Sequence, residues 1–69
     1  MKPDNWYRHP NNTTICLEVE KSFYIKEKDS YSLRIAWYKW SPTRGIEYPL
    51  GIRERVKWTR QHCRNYIRI

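Results

Sequence analysis

The chain is 69 residues long, which is one domain, 1–69, with no room for a second. It carries a net charge of +7, four Trp, six Tyr, one Phe and only two Gly, a composition that excludes a disordered tail and implies a small core built from large rings. Two cysteines, Cys16 and Cys63, exclude a disulfide scaffold, and no apolar run approaches the ~20 residues of a membrane span.

The charge is uneven. Residues 49–69 hold Arg53, Arg55, Lys57, Arg60, Arg64 and Arg68 against a single carboxylate, Glu54. A field of that sign attracts anions and speeds their encounter. Met1-Lys2-Pro3-Asp4-Asn5 is polar and leads straight into Trp6, without a secretory apolar stretch. The expectation is a cytoplasmic protein with no membrane partner and two reduced, buried thiols. The glycosylation sequons within Asn11-Asn12-Thr13-Thr14 are then idle.

In chain order, Trp6-Tyr7-Arg8 reads as a short strand and His9-Pro10-Asn11-Asn12 as a turn. From Thr13 to Val19 the residues alternate, with Ile15, Leu17 and Val19 opposed to Cys16, Glu18 and Glu20, which is a half-buried strand. Lys21–Lys26 is a further strand with Phe23 and Ile25 on one face. It either continues the previous strand through a bulge or follows a tight turn at Glu20-Lys21. Glu27-Lys28-Asp29-Ser30 is a charged hairpin turn. Tyr31–Trp40 is the strongest strand, with Tyr31, Leu33, Ile35 and Trp37 on one face and Ser32, Arg34, Ala36, Tyr38 and Trp40 on the other. Ser41-Pro42-Thr43-Arg44-Gly45 is a loop, and Ile46-Glu47-Tyr48 a short edge strand.

Pro49 and Gly51 then read as the start of a helix. Ile52, Val56, Thr59, Cys63 and Ile67 follow i, i+4, i+7, i+11 and i+15, a core-facing helical stripe, with Asn65 as a left-handed stop. Tyr66-Ile67-Arg68-Ile69 extends the helix or adds a strand. The fold class expected is α+β: a small antiparallel sheet of three to four strands packed by one C-terminal amphipathic helix.

On such a helix Arg53, Lys57, Arg60 and Arg64 line up as one cationic ridge. Arginine suits phosphate because its planar fork donates two parallel hydrogen bonds. Helices also carry Lys and Arg simply as a wet face, but the ridge holds no acid. The expected function is therefore a non-catalytic binding module for RNA or DNA through these four residues. It requires the segment to be helical and its cations to be free of the chain's own carboxylates. The alternative is a protein–protein adaptor in which Tyr38, Trp40 and Trp58 form an exposed patch with a cationic rim. Such rings also offer a stacking platform for unpaired bases beside Arg34, but in so small a domain core packing is the stronger reading of them.

No cofactor and no metal are expected: His62 and Cys63 are adjacent, and neither C-x-x-C nor H-x-x-x-H occurs. No RNP-type motif is present. An enzymatic reading places His62 beside Arg55, with Tyr48 or Tyr66, as a small ribonuclease; a solvated helix histidine explains His62 as well. Trp6 in a first strand, Trp58 in a basic helix, Asn65-Tyr66 and a terminal basic segment at Arg68 resemble a family of small cyanobacterial proteins of unknown function. The similarity covers about a third of the chain. Asn65-Tyr66 departs from that family's glycine–tryptophan pair, and the resemblance implies no activity.

Overall fold

Apolar and polar residues alternate along most of the chain, and the backbone follows that alternation into strands. The computed structural model covers residues 1–69. Five strands form one sheet: β1 (Trp6–Arg8), β2 (Ile15–Ile25), β3 (Ser30–Ser41), β4 (Gly45–Thr59) and β5 (Ile67–Arg68). One helical turn, α1 (Arg60–Cys63), lies between β4 and β5. Every pairing is antiparallel, and the order across the sheet is β4-β3-β2-β1-β5.

The expected α+β architecture is corrected by this arrangement. The segment assigned to a helix is mostly strand, the sheet has five strands, and the only α-helix spans four residues. Ile52–Thr59 fits two periods at once. A helical stripe has to count Thr59 as apolar and leave Trp58 outside. The two-residue period places Ile52, Glu54, Val56 and Trp58 on one side and Arg53, Arg55, Lys57 and Thr59 on the other. Pairing with β3 decides between them, because Val56 then lies opposite Leu33 and Trp58 opposite Tyr31. Pro49 sits within edge strand β4, where a missing N–H is tolerated. Gly51 has φ +76°, a left-handed conformation, and the register jumps there from Ala36↔Arg53 to Tyr38↔Pro49. Asn65 is not left-handed; α1 ends instead at Arg64, in ordinary helical geometry.

The inner face of the sheet carries the core. Leu17, Val19, Leu33 and Ile35 are buried there, with Tyr7, Tyr31, Trp37, Val56 and Trp58 around them. The C-terminal segment folds over this face and contributes Cys63 and Tyr66, and Met1 closes it from the other end of the chain. Thr59 caps α1 by accepting a hydrogen bond from the His62 N–H at 3.1 Å. The Arg60 N–H donates to the Asp29 carbonyl at 3.0 Å, tying α1 to the β2–β3 turn. Trp37 Nε1 donates to Glu54 Oε2 at 2.6 Å, which pairs a core indole with the one carboxylate of the basic third.

On the outer face Cys16 and Ala36 are also buried, beneath Trp6, Tyr38 and the Arg8–Trp40 pair. Cys16 and Cys63 therefore lie on opposite faces, both as free thiols. No helix is long and apolar enough to cross a membrane.

With only seven residues buried, each core side chain carries a large share of the stability. Leu33→Ala, at a position 1% exposed, should cost about 2–5 kcal/mol, read as a lowered urea midpoint with far-UV strand signal lost earlier in the titration.

Candidate functional site

The site begins with an insertion in β2. Val19 pairs with Ile35 and Lys21 with Arg34, so Glu20 has no partner and forms a β-bulge. Beyond it every side chain of β2 changes face. Ser22, not Lys21, lies opposite Leu33, and Lys21 and Phe23 turn outward. Phe23 is 70% exposed. Fully burying a Phe is worth roughly 1.5–3 kcal/mol, and the chain forgoes this to keep Lys21 out of the core.

The bulge creates a row of like charges. Lys21, Arg34 and Arg55 lie directly opposite one another on β2, β3 and β4. Cross-strand Cβ atoms are ~5 Å apart, and like charges so placed are destabilising. The next row toward the β2–β3 turn is Phe23, Ser32 and Lys57; on the other side Arg53 lies opposite Ala36, itself beside Glu18. Along β4, Arg53, Arg55 and Lys57 share the face at intervals of two residues, ~6.7 Å. Lys21, Phe23, Ser32, Arg34 and Arg55 line a shallow depression of about 410 Å³, with Glu20 at its side.

Of the carboxylates on this face only Glu20 forms ion pairs, and with two of the five cations. Glu20 Oε1 is 3.9 Å from Arg34 Nε, and Oε2 is 3.5 Å from an Arg53 terminal nitrogen. The Arg34 contact is too long for a hydrogen bond, and Oε1 is buried with no donor. Lys21, Arg55 and Lys57 form no ion pair and are exposed.

The sequence-predicted site is only partly assembled. Arg53 and Lys57 share the outer face of β4, but Arg53 is paired with Glu20. Arg60 leaves the strand for α1, where its Nε is 3.4 Å from Asp29 Oδ1, and Arg64 caps that turn; the four-residue helical ridge does not exist. Arg55, Arg34 and Lys21 replace Arg60 and Arg64 on the cationic face. The signal for Arg55 was the alternation Arg53-Arg55-Lys57; nothing local signals that Lys21 and Arg34 join it, because the bulge sets that register.

The aromatic patch is divided. Tyr38 and Trp40 lie on the outer face, half-buried. Tyr38 packs edge-on to Trp6 at 4.6 Å, and the Arg8 guanidinium sits 5.6 Å over Trp40. Trp58 belongs to the inner face, stacked on Tyr66 at 4.8 Å. The sheet also separates Arg55 from His62, which lies 4.9 Å from Trp58 and 5.7 Å from Tyr66. His9 Nδ1 accepts the backbone N–H groups of Asn11 and Asn12, each at 3.0 Å, so it serves the turn after β1. No group of three or more His, Cys, Asp or Glu side chains is placed to hold a metal ion. No family model, no curated protein and no solved structure matches the chain.

Four groups hold their protons more tightly than usual. Burial pushes the Cys16 thiol from 9.0 up to about 11 and raises Cys63 in the same direction. Tyr24 is raised because its hydroxyl donates to Asp29, and Tyr66 by burial beside Cys63 and Glu54. Each folded-state value exceeds the ordinary one, so the unfolded chain releases protons first. The stability these four groups contribute should be present below pH 9 and fall as pH rises toward 11. Urea midpoints taken between pH 8 and pH 11 should decline, with a smaller decline in Cys16→Ala.

Proposed function

We propose that the outer face of the sheet binds nucleic acid through Lys21, Arg34, Arg53, Arg55 and Lys57. The observation that carries this reading is the Lys21–Arg34–Arg55 row, three cations side by side across three strands with one carboxylate near them. A folded chain gains nothing from that row by itself, since opposing like charges destabilise a sheet. A string of phosphates relieves it. The expected helical ridge has no part in this; the cations converge because β4 is a strand and β2 is bulged. RNA and DNA offer the same phosphate chemistry, and both serve as ligand. The activity is non-catalytic binding.

A protein partner is the second reading. It is favoured by the exposed apolar residues Ile46, Tyr48, Leu50 and Ile52, all on β4 at the sheet's edge. Edge strands are places where an extended segment of another protein adds on through backbone hydrogen bonds.

The two readings separate in salt. With five phosphate contacts, log affinity for an oligonucleotide should fall with log salt at a slope of about −3.5 to −4.5. Arg55→Thr should lower the slope by about 1 and weaken binding, while raising the stability of the free protein by roughly 0.2–1 kcal/mol as repulsion in the row is relieved. Oligonucleotide affinity that ignores salt between 50 and 200 mM, or an Arg55→Thr protein that binds as before, would remove the reading. A partner retained at high salt and indifferent to Arg55→Thr supports the β4 edge instead.

A further inference from the structure

We infer that this face takes single-stranded nucleic acid, with one unpaired base stacked on Phe23 and its flanking phosphates on the Lys21–Arg34–Arg55 row. The inference rests on the proposed nucleic-acid reading and narrows it to a strand state and a stacking residue. Phe23 is the most exposed large apolar side chain of the protein, and it stands two residues along β2 from Lys21. Two strand positions span ~6.7 Å, which sets a base on the ring within one nucleotide's reach of the cations.

Position distinguishes Phe23 from an aromatic that is exposed by chance. It lines the same depression as Lys21, Arg34 and Arg55, with the Ser32 hydroxyl opposite it. The bulge at Glu20 turns the ring and the ammonium of Lys21 outward together, so one backbone irregularity makes both halves of the pocket. The aromatic ring offers a stacking surface to any base, and every base has a π-face. In a duplex those faces are occupied by neighbouring pairs, so only an unpaired base can use the ring. Glu20 lies beside the pocket with Oε2 3.5 Å from Arg53 and Oε1 3.9 Å from Arg34, leaving Lys21 and Arg55 unpaired for phosphate.

Fluorescence anisotropy with a labelled single-stranded 12-mer, as DNA and as RNA, and with the duplex of the same sequence, tests this. The wild type should prefer the single strands. Phe23→Ala should lose roughly 5- to 150-fold in single-strand affinity, leave duplex affinity unchanged, and keep the salt slope; Phe23→Trp should restore binding. Circular dichroism should show both variants folded, since the ring is 70% exposed. Equal affinity for duplex and single strand, or a Phe23→Ala protein that binds like wild type, overturns the inference. If Arg55→Thr still weakens binding in that case, the cationic-face reading survives without stacking. If no oligonucleotide binds at 50 mM salt, both fall together.

Discussion

Glu20 is one residue more than β3 can match. A strand has two faces, and an inserted residue exchanges them for everything that follows. Without the insertion, Glu20 would face Arg34 as an opposite charge, but Lys21 would be driven against buried Leu33. With it, Ser22 takes the place beside Leu33 and Lys21 faces Arg34 instead. A lysine at the core without a partner costs far more than a repulsive surface contact. The bulge is thus required by the core, and the cationic row and the exposed Phe23 are what it leaves on the other side.

The core that imposes this choice is thin. Its main layer is a few aliphatic residues on one face, and its lid is short: Cys63 on a four-residue helix, Tyr66, and Met1. Aromatic contacts join the lid to the sheet, with Tyr66 stacked on Trp58 and edge-on to His9 at 5.6 Å. Strand β5 then closes back on β1, where the Ile69 N–H donates to the Trp6 carbonyl at 3.0 Å. Four Trp and six Tyr in 69 residues serve this purpose, since large rings cover much apolar surface in few positions.

Much of the sheet was legible in the sequence. The inward set of β3, Tyr31-Leu33-Ile35-Trp37, follows strict alternation, as does Ile15-Leu17-Val19 in β2, because these residues face the main core. Phe23 and Ile25 were legible as sharing a face, but whether β2 bulged or turned at Glu20 was not, because that depends on Leu33 in another strand. The last third was misread for a similar reason. Ile52–Thr59 satisfies both periods, and only pairing with β3 rejects the helical one. Pro49 and Gly51, which look like a helix start, are an edge position and a left-handed break in register. Arg53 and Lys57 share a face as their helical spacing implies, although the segment is a strand, since a spacing of four residues returns to the same face of a strand as well as of a helix.

Strand β4 is fifteen residues long with one side unpaired, and such an edge is a template for uncontrolled self-association. Its two halves are guarded differently. Gly45–Ile52 exposes apolar side chains, but Pro49 withholds a donor and Gly51 interrupts the regular run of the backbone. Arg53–Lys57 is regular, and there the alternating positive charges would meet their own copies across any edge-to-edge pair. The residues proposed to bind a polyanion would therefore also keep the molecules apart, so a chain stripped of them is expected to lose solubility.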